Sequence, residues 1–194
     1  MTDRMKKMDE IKKMANIFDT LPDDLNLIDT GVISDIGEKI IKTSQSLLSD
    51  DDQDGLEKIK AAELNIKYAL HYRDGKNLKD TIENLSEWLN DYWTTMSLPL
   101  PFSPVSDLND YRECVEEYIR SILKKKHLAI HAVNENEGWE VYHRKKVILE
   151  LKLVSRNKKT YLRVTYPRKG GSQSSSAVEV IKKGINRIAS LCDK

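Results

Sequence analysis

Apolar residues switch from helical to alternating spacing after Ile122, and that switch sets the fold class. Up to Ile122 they recur at helical steps; from Leu128 to Tyr166 they alternate, as in strands with one face buried. The helical pattern runs through Met1, Met5, Met8, Ile11, Ala15 and Phe18. It resumes through Ile33, Ile36, Ile40 and Leu47, through Leu56, Ile59, Ala62, Ile66 and Leu70, and through Leu78, Ile82, Leu85, Trp88, Leu89 and Tyr92. Leu21–Asp29, Ser49–Gly55 and Asp74-Gly75 read as breaks between them.

Pro99, Pro101 and Pro104 then exclude helix and favour extended backbone. The expected organisation is an acidic, mostly helical region over 1–98, a proline linker over 99–104 and a basic domain over 105–194. In that domain Ser103-Pro104 opens a helix through Leu108, Tyr111, Val115, Tyr118, Ile119 and Ile122. Three or four alternating segments follow, with Val147, Leu149, Leu151 and Leu153 the clearest strand face. Arg168–Ser176 reads as a loop, and Ser176 with Glu179 as a capping box for a last helix through Ile181, Ile185, Ile188 and Cys192. The fold class is α+β: a helical half, then an antiparallel three- to four-strand meander flanked by two helices.

Charge divides the chain in the same direction. Met1–Ile119 holds 14 Lys/Arg against 25 Asp/Glu, and Arg120–Lys194 holds 18 against 6, with a total of +1. A segment this basic attracts a polyanion or an acidic protein face. Its cations stand in clusters: Lys124, Lys125 and Lys126; Arg144, Lys145 and Lys146; Arg156 to Lys159; Arg163; Arg168 and Lys169; and Lys182, Lys183 and Arg187 on the last helix.

No nucleotide, zinc-protease or serine-hydrolase motif appears, so the expectation is a protein without catalysis, metal or cofactor. Asp50–Gly55 lacks the last acidic ligand of a calcium loop. Ser46 and Ser49 precede these aspartates and are candidates for phosphorylation by an acid-directed kinase. His127 and His131 are four apart in a strand pattern, about 13 Å, too far to share one metal ion. Cys114 and Cys192 carry no metal-like spacing and read as two reduced thiols. No signal peptide or apolar span is visible, which gives a cytoplasmic expectation with no membrane partner. Trp88, Leu89, Tyr92 and Trp93 form a stripe wide enough to bury a second copy or a neighbouring helix.

Two families resemble this chain. The layout is similar to that of rhabdovirus phosphoproteins: an acidic helical front, a linker, a basic module, and the local run from Asp107 to Lys145. That resemblance implies a polymerase cofactor that links polymerase to the nucleoprotein–RNA template and chaperones free nucleoprotein. Met5, Met8 and Ile11 would hold nucleoprotein, and the basic clusters would grip nucleoprotein on RNA. The order helix, strands, helix from Val105 to Leu191 also resembles double-stranded RNA-binding domains. That implies direct RNA binding, although Ser174, Ser175 and Ser176 stand where those domains carry lysines.

Overall fold

The computed structural model describes residues 2–48, 52–100, 109–133, 138–157, 159–168 and 171–192. Two compact units divide the chain at Tyr92/Trp93. The architecture is α+β, with six helices and one five-stranded antiparallel sheet among the described residues.

The first unit holds α1 (Asp3–Asp19), α2 (Thr30–Ser46), α3 (Gln53–His71) and α4 (Gly75–Tyr92). Each helix packs on the next, and α4 packs on α1, which closes the ring. Its core takes one stripe from each: Ile11, Met14 and Phe18; Ile33, Ile40 and Ile41; Ile59, Ile66 and Ala69; Leu78, Ile82, Leu85 and Leu89. Aspartates in the acidic breaks start the helices. Asp29 accepts from the Gly31 N–H, Asp52 from Gly55 and Asp74 from Asn77, each at 2.9 Å. A side-chain oxygen there satisfies a donor that the first turn leaves open. The loops brace each other as well. Gly75 N donates to Asp23 O at 2.8 Å, and a Cβ on Gly75 would lie 2.0 Å from Pro22 O, so only glycine fits.

The second unit holds β1 (Trp93–Leu100), α5 (Asn109–Lys124), β2 (Ala129–Ala132), β3 (Trp139–His143), β4 (Lys146–Arg156), β5 (Lys159–Pro167) and α6 (Ser172–Cys192). The spatial order is β1-β5-β4-β3-β2. Four strands form the expected meander, and the fifth comes from the segment expected to be a helix end and linker. β1 pairs with β5 from Trp93↔Pro167 to Leu100↔Thr160, with Pro99 opposite Tyr161. Proline is tolerated there because β1 is an edge strand. Residues 101–108, including the expected Ser103-Pro104 cap, lie outside the described residues.

One face of the sheet packs on both helices. Leu98, Leu100, Val141, Leu149, Leu151, Leu162 and Val164 meet Val115, Ile119 and Leu123 of α5 and Val178, Ile181 and Ile188 of α6. Gly138 (φ 116°) brings β3 so close to β4 that a Cβ would lie 2.0 Å from Leu151 O.

Three expectations are corrected here. Cys114 and Cys192 form a disulfide across 78 residues, because α5 and α6 pack together and place their Cα atoms 5.8 Å apart. They are not reduced thiols, and such a bond is characteristic of oxidising compartments. The last helix begins at Ser172, so Ser176 is inside it and no cap; Glu179 pairs with Lys182 at 3.0 Å instead. The unit boundary also returns Asp107 to Glu117 to the second unit. Residues 3–92 carry 13 Lys/Arg against 20 Asp/Glu, net −7, so the contrast is smaller than the sequence halves suggest.

Candidate functional site

The sheet register explains where the basic clusters meet. β2 begins at Ala129, opposite Tyr142; β3 ends at His143, opposite Lys146, where β4 begins; β5 ends at Pro167, opposite Trp93. One end of the sheet therefore receives the C-terminus of α5, the β3–β4 turn and the exit of β5. Lys124, Lys125 and Lys126 arrive with the first, Arg144, Lys145 and Lys146 with the second, and Arg168 with the third. All are exposed except Lys146, which is half-buried. The local backbone fits these placements. Arg144 (φ 56°) takes the left-handed conformation of a two-residue hairpin turn, and His127 (φ 56°) turns the chain from α5 into β2.

The predicted cations of α6 are not gathered there. Lys182, Lys183 and Arg187 are exposed on α6, with Lys182 about ten residues, roughly 15 Å, beyond the helix start. Lys182 is already ion-paired with Glu179. Lys169 lies outside the described residues.

The helical unit offers a different surface. A groove of about 370 Å³ runs between α1 and α4, lined by Met8, Ile11, Ala15 and Ile82 and by three acids, Asp9, Asp19 and Glu83, against one cation, Lys12. The Ser86 hydroxyl in its lining is buried with no hydrogen-bond partner among the described residues. Of the three predicted contact residues on α1, Met5 is exposed and Met8 half-buried. Ile11 is 1% exposed and belongs to the core, because α1 is already packed in its own bundle. The aromatic stripe is likewise used internally: Leu89 and Tyr92 are buried, and Trp93 starts β1. The Trp88 ring takes the Lys58 ammonium at 5.4 Å.

Ser46 is half-buried and its hydroxyl donates to Thr43 O at 2.7 Å; Ser49 lies outside the described residues. His131 faces Glu140 across the β2–β3 pair, and no group of three His, Cys, Asp or Glu suited to a metal ion occurs among the described residues.

Sequence reading missed one polar network altogether. The Trp139 indole N–H donates to Glu116 Oε2 at 2.6 Å, and Arg120 donates to Glu116 Oε1 at 2.6 Å. Arg112 stacks over the Trp139 ring at 4.8 Å and donates to Gly138 O at 3.2 Å. This network clamps α5 onto β3; its members are scattered over 28 residues and carry no motif. No helix among the described residues is long and apolar enough to cross a membrane. No family model, curated protein or solved structure matches the chain.

Proposed function

We propose that this protein is a non-catalytic adaptor of the viral-phosphoprotein kind. In this reading the cationic end of the sheet holds RNA coated with nucleoprotein, and the α1–α4 groove receives an apolar, basic segment of a protein partner such as polymerase or free nucleoprotein. The observation that carries the reading is the convergence of seven cations from three sequence-distant segments on one end of the sheet. Phosphate backbones are bound by just such point charges, and each contact releases counterions. The groove adds a second, chemically different surface, as an adaptor needs. The disulfide bears on where this happens: a cytoplasmic site of action requires the bond to persist against thiol reductants.

Binding of the full chain to nucleoprotein-coated RNA, measured against salt, tests the reading. Seven phosphate contacts on a single strand predict a log–log slope of about −5, and Arg144→Ala with Lys145→Ala should make it shallower by about 1.4. Tight binding of naked duplex RNA with the same loss in the variant would favour direct RNA binding instead. Unchanged binding in the variant would remove the rim from both.

A further inference from the structure

The opposite end of the sheet, on the face turned away from α5 and α6, carries a second arrangement. Strand alternation and register define its rows. Pro99, Tyr161 and Val154 stand side by side across β1, β5 and β4. One row towards the β4–β5 turn stand Arg156 and Lys159, paired in register. One row the other way stand Ser97, Arg163 and Lys152. Rows on one face are two residues apart, about 7 Å. An aromatic, apolar row is thus flanked on both sides by cations.

Lys152, Arg156, Lys159 and Arg163 are all exposed, and none makes an ion pair among the described residues. An open depression of about 490 Å³ lies over this area, lined by Ser97, Val154, Ser155, Asn157 and Tyr161 with Arg156 and Arg163. Every polar side chain in that lining has a hydrogen-bond donor, and none is a carboxylate. The acids of this face, Glu140 and Glu150, are buried and stand beyond the Arg163 row, level with Thr165.

We infer that this face is a binding platform for single-stranded nucleic acid. A base stacks on the Tyr161 ring against Pro99 and Val154, and the flanking phosphates meet the cation rows to either side. Stacking needs an unpaired base, which a duplex does not offer; charge without stacking would leave the aromatic row unused. The platform shares no residue with the cationic end described above and does not depend on that reading.

The test is fluorescence anisotropy of the full chain with a labelled oligouridine of about 12 nucleotides, within the span such proteins cover. Tyr161→Ala should weaken binding about tenfold while Tyr161→Phe keeps it. Arg163→Ala and Lys152→Ala, both at exposed positions, should each make the salt slope shallower by about 0.7. Duplex RNA of the same length should bind equally to wild type and Tyr161→Ala, which separates this site from the sheet-end rim. The inference falls if wild type does not bind the single strand, or if Tyr161→Ala and Arg163→Ala both bind it like wild type. It falls too if a polyglutamate peptide of equal charge displaces the RNA completely, since the face would then serve an acidic protein.

Discussion

The two units are held together by different means. The helical unit is built mainly from neighbours in sequence: each helix packs on the next and aspartates start three of them, while the α1–α4 contact and the Asp23–Gly75 bond close it over distance. The α+β unit is a meander of neighbouring strands completed by distant partners. Its first strand, Trp93–Leu100, pairs with Lys159–Pro167, and its two helices are joined by a disulfide spanning 78 residues. Both units must close over distance at a cost in chain entropy, and in the second unit a covalent link across 78 residues takes up part of that cost. The cations follow the same rule: three separate segments meet only because the register brings them together.

The strongest way to break this comparison is to remove the disulfide. Cys114→Ser with Cys192→Ser should destabilise the α+β unit by about 4.5 kcal/mol on the chain-entropy account, and leave the helical unit as it was. Hydrogen exchange resolved by residue would show this as lost protection in β4 and β5 with none lost in α2 to α4. Equal loss in both units would mean that their stabilities are coupled and the contrast is false.

The helical unit has a smaller point of failure at Asp52. This carboxylate is 5% exposed, accepts from the Gly55 N–H at 2.9 Å and from the Tyr92 hydroxyl at 2.6 Å, and so ties the start of α3 to the end of α4. Tyr92→Phe leaves a buried charge with one donor fewer and should cost about 2 kcal/mol. Urea unfolding followed by far-UV circular dichroism, together with exchange in α3 and α4, would check it. A loss that appeared in the sheet instead would overturn the assignment of Tyr92 to the first unit.

What the sequence made legible follows the same division. Local patterns were readable: the stripe from Leu78 to Leu89 is a helix face, and Leu149 and Leu151 are a strand face in the core. Distant relations were not. Met96 and Leu98 alternate as a strand should, but Pro99 and Pro101 beside them signalled a linker, and only a partner strand reveals that an edge can hold a proline. Cys114 and Cys192 could be counted but not paired, because pairing depends on how α5 and α6 pack. Ser172, Ser174, Ser175 and Ser176 at the start of α6 read as a loop, since their weak helix propensity is overridden by the burial of Ser174, Ala177 and Val178. The cations of the candidate site were visible one by one; their gathering was a property of the sheet.

The smallest expected effect sharpens the comparison through pH. Both units contain a carboxyl held below its ordinary value, but in different surroundings. Burial alone would raise the Glu116 carboxyl; the Trp139 indole, the Arg120 hydrogen bond and charge, and the Arg112 charge outweigh it and hold it lower. Asp23 is lowered by its hydrogen bond and charge pairing with Lys79, on the open surface. A carboxyl lowered in the folded state stabilises above its unfolded value, about 4.5 for Glu116, and loses that contribution as pH falls through its folded value. The α+β unit should therefore weaken from about pH 4.5 downward, and Glu116→Gln should flatten that part of its profile. Asp23→Asn should leave the helical unit's profile unchanged, because solvent and salt screen an exposed pair. Urea melts stepped from about pH 6 to about pH 3 would check both variants against wild type. A flattening by Asp23→Asn as large as that by Glu116→Gln would show that burial beside Trp139 gives the clamp no advantage over a surface pair.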